Sequence, residues 1–220
     1  MISAIRLGFC AAILTAALTA VFFGVGIFGS SAFNGSIPYP YVLSTIRPID
    51  YAVWIPAILL APTLVVLIAC IHIQSPTDKK IFSQIALSFS LIFASIVTAD
   101  YFIQLTVVLP SILSKETEGL SLFSMYNPHG ILVSLESLGY LFMNSALLAL
   151  AGVFVGKNKL ERAIRWIFLI AFTLAVGSFG AITLAGYPIV FFEVTILTIN
   201  MIVLIALGVL LSLFFRRILE

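Results

Sequence analysis

Residues 126–151, YNPHGILVSLESLGYLFMNSALLALA, decide the fold of this chain. Asn127 is a favourable helix N-cap and Pro128 suits the first helical position, so the sequence predicts that a helix begins here. The apolar run that follows is long enough to cross a bilayer, which takes about 20 residues. It nevertheless contains a carboxyl group, that of Glu136. An acid inside a membrane is costly and usually has a function, so this stretch is also the first candidate site.

Four polar side chains of this stretch are spaced to share one face of the predicted helix. They are separated by seven, four and four residues, which corresponds to two turns and then single turns: His129, Glu136, Tyr140 and Asn144. Because lipid cannot satisfy polar groups, such a face must point to the interior of a bundle, to a partner or to water. We therefore expect Glu136 and His129 to act in proton transfer and Tyr140 and Asn144 to contact a ligand.

The composition of the whole chain is that of a polytopic membrane protein. Of its 220 residues, 62% are hydrophobic and only 9% are charged, and the mean hydropathy is +1.22. Soluble domains contain about 25% charged residues. The net charge of +2 is too small to indicate a nucleic-acid partner. No long polar linker divides the chain, so a single transmembrane domain over residues 1–220 is predicted.

Six stretches are long and apolar enough to span a bilayer, and the predicted fold is therefore an all-α bundle of six transmembrane helices. The predicted helices cover approximately these ranges: 7–28, 51–73, 82–110, 128–155, 163–185 and 189–215. Pro110 is expected to end the third helix, because proline disrupts the helical hydrogen bonding and packs poorly in a helix interior.

The distribution of basic residues predicts the orientation. With the N-terminus inside, nine basic residues fall on the cytoplasmic side: Arg6, Lys79, Lys80, Lys157, Lys159, Arg162, Arg165, Arg216 and Arg217. Only Arg47 and Lys115 fall outside. Cytoplasmic segments of membrane proteins carry an excess of Lys and Arg. We therefore expect both termini in the cytoplasm and a multi-pass protein of the cell membrane.

Further acids lie in the outer half of the predicted bundle, on other helices. At 1.5 Å per residue, Glu193 is about 7 Å, Glu136 about 10 Å and Asp100 about 15 Å from the outer helix ends. Asp50 lies at the outer surface, in a loop that also contains Arg47. The inner half has almost no buried acid. This asymmetry predicts a polar, acid-lined cavity that opens outward or toward the outer leaflet.

Two amides extend these polar faces, since Gln104 follows Asp100 by four residues and Asn200 follows Glu193 by seven. The predicted catalytic residues are Glu136, Asp100 and His129. The predicted ligand-contacting residues are Tyr140, Gln104, Glu193, Asn144, Asn200, Arg47 and Asp50. The alternative is that the polar residues only join helices by hydrogen bonds, an interpretation that suits Asn144 and Asn200 best.

A metal site and a cofactor are not predicted. His129 with Glu136, Asp100 and Glu193 would supply one imidazole and three carboxylates, which are acceptable metal ligands. The chain nevertheless lacks an HExxH or ExxH motif and a second histidine near these residues. It also lacks the glycine patterns typical of nucleotide sites and the GxSxG pattern of serine hydrolases.

One part of the sequence resembles a known group of proteins. The run Tyr126-Asn127-Pro128-His129-Gly130, with Leu135-Glu136 and Leu138-Gly139-Tyr140 after it, is similar to a stretch of small uncharacterised prokaryotic membrane proteins. The resemblance implies a membrane protein with six helices, and it implies no activity.

Three functions remain open on the sequence. The first is a membrane-embedded enzyme or binding protein for a lipid or other apolar small molecule, with Glu136 and Asp100 as acid and base. The second is a small proton-coupled transporter, with a homodimer expected, that uses the same acids as a relay. The third is a structural or accessory subunit without chemistry. A lipid-shaped pocket, a path to both sides, or a site filled by its own side chains would distinguish them.

Overall fold

The computed structural model describes these parts of the chain: residues 2–29, 52–116, 118–125, 127, 129–156 and 158–220. Within them the regular secondary structure is helical, as the composition predicts. Five residues of the sequence analysis lie outside the described residues, namely Arg47, Asp50, Tyr126, Pro128 and Lys157.

The described residues form seven α-helices. They are α1 (Ile2–Gly29), α2 (Trp54–Gln74), α3 (Lys80–Ile103), α4 (Leu109–Ser114), α5 (Ile131–Ala151), α6 (Lys159–Leu184) and α7 (Ile189–Leu219). A π-helical segment, Gln104–Val108, joins α3 to α4, so Thr77–Ser114 is one helical run. Within the described ranges, six helical stretches are long and apolar enough to cross a membrane, which agrees with the predicted all-α fold.

The helices form a closed ring in chain order. Each long helix packs against the next, in the order α1, α2, α3, α5, α6 and α7, and α7 packs against α1. In addition, α5 contacts α7 across the ring. The helix that carries Glu136 is therefore held by three neighbours, and about half of its residues are buried. This position turns the polar face of α5 toward α3 and α7.

Two glycines allow helices to approach closely. A Cβ atom on Gly139 of α5 would lie 2.8 Å from Cγ2 of Val97 on α3. A Cβ atom on Gly208 of α7 would lie 2.7 Å from the carbonyl oxygen of Ala12 on α1. Small residues at helix interfaces permit close backbone contact inside membranes. Gly139 therefore sets the separation of α3 and α5, and Gly208 sets that of α1 and α7.

The predicted start of α5 is wrong by three residues, since α5 begins at Ile131 with Gly130 before it. The side-chain oxygen of Asn127 accepts a hydrogen bond from the backbone N–H of His129 at 3.0 Å, and its Nδ2 donates to the Ser121 carbonyl at 2.9 Å. Asparagine commonly forms such a turn by bonding to the backbone two residues on. Asn127 thus stabilises the loop rather than capping the helix, and His129 lies outside the helix.

The expectation that Pro110 ends the third span is also wrong, because α4 continues past it to Ser114. The preceding segment is π-helical, and the N–H of Leu109 bonds to the carbonyl of Gln104, five residues back. Proline in a regular α-helix clashes with the carbonyl four residues earlier. The wider π turn relieves that clash, so the helix passes through the proline. Such π turns are frequent at functional sites.

Candidate functional site

Three carboxyl groups from three helices come together inside the bundle. They belong to Asp100 on α3, Glu136 on α5 and Glu193 on α7, whose exposed fractions are 1%, 0% and 7%. The carboxyls of Glu136 and Glu193 lie within hydrogen-bonding reach of each other. Asp100 is close enough to interact electrostatically with both. We call these three residues the acid cluster.

Two buried tyrosines lie beside the acid cluster. The hydroxyl of Tyr101 on α3 donates a hydrogen bond to Oε1 of Glu136. It also lies 3.3 Å from the hydroxyl of Tyr140 on α5. Trp54 stacks on the Tyr101 ring with 5.1 Å between centroids, and Phe93 packs against Tyr140 at 5.6 Å. This aromatic packing holds the two phenol hydroxyls beside Glu136.

The local sequence explains why Tyr101 reaches Glu136. The close contact between Gly139 and Val97 lies about one turn from each of these residues, since Glu136 precedes Gly139 by three and Tyr101 follows Val97 by four. Because α3 and α5 are antiparallel neighbours, both side chains extend from the contact in the same direction. The absence of a side chain at Gly139 therefore brings the phenol and the carboxyl together.

The acid cluster has no basic partner in the described part of the chain. Its polar contacts there are with carboxyl and phenol groups. An ionised carboxyl group can only accept hydrogen bonds. Two neighbouring carboxyls can hydrogen-bond to each other only when one of them is protonated, so the contact between Glu136 and Glu193 has the chemistry of a proton-holding pair.

The same geometry is less suited to a metal ion. Among the residues that the structure describes, no group of three or more His, Cys, Asp and Glu side chains is arranged to hold one. Metal ions in proteins generally take four or more converging ligands. Here only the carboxyls of Glu136 and Glu193 are in contact with each other. Asp100 interacts with them electrostatically from a greater distance. The arrangement can hold a proton and exchange it with neighbouring phenols.

A second polar contact lies deeper along the same two helices. Asn144 on α5 donates from Nδ2 to Oδ1 of Asn200 on α7 at 3.1 Å and to the Tyr140 carbonyl at 2.8 Å. Both asparagines are fully buried. They follow Glu136 and Glu193 by eight and seven residues, or about 10–12 Å along the helices. We call Asn144 and Asn200 the amide pair, and the structure places them against each other.

Gln104 lies between the acid cluster and the outer loop. It is fully buried, and its Nε2 donates to the Phe123 carbonyl at 2.7 Å. Its Oε1 atom has no hydrogen-bond partner among the described residues. Gln104 thereby ties the 3₁₀ turn Leu120–Phe123 to the π-helical segment, one helical turn beyond Asp100.

The structure does not bring all of the predicted site residues together. Tyr140 and Glu193 join Glu136 and Asp100, whereas His129 is exposed in the loop before α5 and is not among the described residues that interact with the acid cluster. Sequence reasoning overlooked Tyr101, which lies between Asp100 and Gln104 on the buried side of α3. The sequence did contain a signal for Tyr101, since it precedes Gln104 by three residues and therefore lies on the same helix face.

Two cavities lie near the ends of the bundle. One, which we call the outer cavity because the predicted orientation places it outside, has a volume of about 570 Å³, and its lining includes Val107, Ser111, Lys115, Glu116, Glu118 and Phe123. The other has a volume of about 180 Å³ and lies at the opposite end, beside Lys79 and Glu161. Neither of these two cavities is lined by a carboxyl of the acid cluster, which is packed among its own neighbours.

The fold and the acid cluster define the class: a helical protein of membrane-spanning dimensions with titratable groups buried between its helices. Comparison of the chain with known proteins finds no matching family model, no matching curated protein and no matching solved structure. The resemblance to small prokaryotic membrane proteins stays a prediction, and the function has to be inferred from the geometry.

Proposed function

We propose that the chain is a multi-pass protein of the cell membrane that binds and releases protons at the acid cluster, as the proton site of a small proton-coupled transporter. The observation that carries this proposal is the carboxyl contact between Glu136 and Glu193, which needs a shared proton and has no basic partner among the described residues. Intramembrane acids with such neighbours are typical of proton relays.

The surroundings of the carboxyl pair support reversible proton binding. Two carboxyls at this separation do not both ionise readily, since like charges repel and burial disfavours the charged form. The titratable groups that face the pair are Asp100 and Tyr101 on α3 and Tyr140 on α5. The Tyr101 hydroxyl touches both Glu136 and Tyr140, so it offers the proton a hydrogen-bonded route away from the pair.

An enzyme acting on an apolar lipid receives less support from the geometry. Such an enzyme needs an apolar cavity next to its acid. The two cavities described above lie away from the carboxyls of the acid cluster. A purely structural role would be served equally well by amides, as the amide pair shows, and it gives no reason for three acids.

Infrared spectroscopy of the purified full-length chain tests the proton site. With isotope-labelled glutamate, we expect the carbonyl band of a protonated carboxylic acid at neutral pH, weakened in Glu136→Gln and in Glu193→Gln and absent in the double variant. Glu220→Gln is the matched control, because Glu220 is exposed and pairs with Arg216 at 3.0 Å. A wild-type spectrum without this band, or a band that persists in the double variant, would overturn the proposal.

The proposed orientation has both termini in the cytoplasm, with the acid cluster nearer the outer surface, as the positive-inside distribution favours. In a chain with Cys10→Ser and Cys70→Ala, Leu122→Cys should react with an impermeant maleimide in intact cells. Thr77→Cys should react only after permeabilisation. Both positions are exposed and lie at opposite ends of the third span. The reverse labelling pattern would contradict this orientation.

A further inference from the structure

Asp100 differs from the two glutamates of the acid cluster in its hydrogen bonding. It is 1% exposed, and within the described residues neither of its carboxyl oxygens has a hydrogen-bond partner. One turn outward, Oε1 of the fully buried Gln104 is likewise without a partner. Three buried acceptors therefore lie within one turn of the same helical run, and no residue in the described part of the chain donates a hydrogen bond to them. Buried polar groups in native proteins are nearly always hydrogen-bonded, so this arrangement points to a bound donor.

The outer cavity lies on the same helical run as these acceptors and beside the turn that Gln104 binds. Its wall includes Phe123, whose carbonyl binds Nε2 of Gln104, and Ser111, seven residues beyond Gln104 on the same run. These positions place the cavity about 10 Å from Gln104 and Gln104 about 6 Å from Asp100 along the helix. The cavity lining includes two acids, Glu116 and Glu118, and one base, Lys115. This excess of negative charge favours the entry of a cation.

We propose that Asp100 and Gln104 bind a small organic ammonium ion that enters from the outer cavity and is the substrate exchanged for the proton of the acid cluster. A primary ammonium group has three N–H donors and no acceptor, which matches three buried acceptors without a donor. A charge-assisted hydrogen bond to Asp100 also compensates the burial of its carboxylate. The exchange rests on the proposed function, whereas the binding of the ion does not.

Fluorescence of Trp54 reports on this site, because Trp54 stacks on Tyr101, next to Asp100 in the chain. The chain has two tryptophans, so Trp166→Phe leaves Trp54 as the single reporter. The full-length chain in detergent is titrated with propylammonium chloride, and we expect a saturable change. Tetramethylammonium has the same charge without an N–H, and 1-propanol is uncharged; neither should produce it.

Substitutions test whether the fluorescence response arises from binding at Asp100 and Gln104. Asp100→Asn should abolish it, and Gln104→Leu should raise the apparent Kd about tenfold, as expected for losing one hydrogen bond to a charged group. Asp78→Asn and Gln84→Leu are matched controls, since both side chains are exposed on the same helical run. These two variants should keep the wild-type Kd.

An equal response to tetramethylammonium or to 1-propanol would overturn the inference. This comparison uses the native residues at positions 100 and 104, so it holds even where Asp100→Asn does not fold. A folded Asp100→Asn chain with the wild-type Kd would overturn it as well. If the glutamate infrared band is present and propylammonium gives no response, the ammonium site fails and the proton site stands. If propylammonium gives the response and the band is absent, the proton site fails and the ammonium site stands.

Discussion

The acid cluster and the amide pair join the same two helices with different chemistry. In the amide pair, Asn144 donates to Asn200 without any titratable group. In the acid cluster, Glu136 and Glu193 are acceptors only, unless a proton is bound between them. Both contacts hold α5 against α7, so packing alone does not require the acids. The difference is what the proposed proton site would require of the outer contact, and five substitutions can break or sharpen the comparison.

The largest effect is expected from placing a carboxyl in the amide pair. Asn144→Asp removes the donor that faces the Tyr140 carbonyl and Oδ1 of Asn200, and leaves an acid facing two acceptors. We expect a loss of about 3 kcal/mol in the free energy of unfolding at neutral pH, near the insertion cost of an aspartate at a helix centre. The loss should shrink as the pH is lowered, because the protonated acid is neutral and can donate again.

Unfolding in mixed detergent micelles measures this loss. Asn158→Asp is the control, because Asn158 is the exposed N-cap of α6, where aspartate keeps the cap and only an exposed hydrogen bond to Glu161 is lost. Equal stability of Asn144→Asp and the wild type at neutral pH would show that this depth of the bundle tolerates an acid as readily as the outer contact does.

The next largest effect should come from Gly139→Ala, which separates α3 from α5. The new methyl group would lie 2.8 Å from Cγ2 of Val97, and such overpacking costs about 1–3 kcal/mol. The amide pair, which joins α5 to α7, should survive, while the Tyr101–Glu136 bond weakens. In Gly177→Ala the new methyl meets no described atom within 4 Å, so that control should keep or gain stability. Adding Val97→Ala to the Gly139→Ala chain should restore part of the lost stability. If it restores none, the loss is not caused by the clash with Val97.

A smaller effect is expected from removing a phenol hydroxyl. Tyr101→Phe deletes the donor to Glu136 and should lower the free energy of unfolding by about 1 kcal/mol. Tyr140→Phe should have a smaller effect, because its hydroxyl makes a longer contact of 3.3 Å with Tyr101. Thermal unfolding of the two variants under identical conditions gives the order. A greater loss in Tyr140→Phe would place the main phenol donor on α5 instead.

The smallest effect on stability is expected from Glu136→Gln. An amide replaces a neutral carboxyl of similar shape, and its NH₂ group can donate to Glu193, so the change in unfolding free energy should be about 0.5 kcal/mol or less. Glu136→Gln and Asn144→Asp exchange acid and amide in opposite directions, so the difference between their unfolding free energies tests the comparison most directly. A Glu136→Gln chain that fails to fold would instead indicate an ionised carboxylate held by a cation.

The sequence predicted the elements of this fold better than their contacts. The six spans follow from apolar runs, and the spacing of Glu136, Tyr140 and Asn144 placed them on one face of a helix, where all three are buried. The order of helices around the ring was not predictable. Transmembrane helices are apolar on nearly all faces, and association in lipid leaves little hydrophobic pattern to indicate which faces meet.

The errors have local physical causes. His129 was placed on the wrong element because Asn127 has two uses, as a helix cap or in a turn, and the sequence does not show which hydrogen bond forms. Pro110 was expected to end a helix because a π turn before it is not visible in the residue pattern. Tyr101 was overlooked because only Asp100 and Gln104 were considered when the polar face of the third helix was identified, although Tyr140 was counted on the polar face of α5.

Because α7 closes the ring, there is an interval during synthesis in which Glu136 has no partner on α7. Tyr101 precedes Glu136 in the chain, but Glu193 follows it by 57 residues. At about 5–20 residues per second, a ribosome takes roughly 3–11 s to add them. During that time the carboxyl of Glu136 on α5 lacks its partner on α7. An unpaired carboxyl on α5 thus distinguishes an unfinished chain from a finished one, and α7 is the element that supplies its partner.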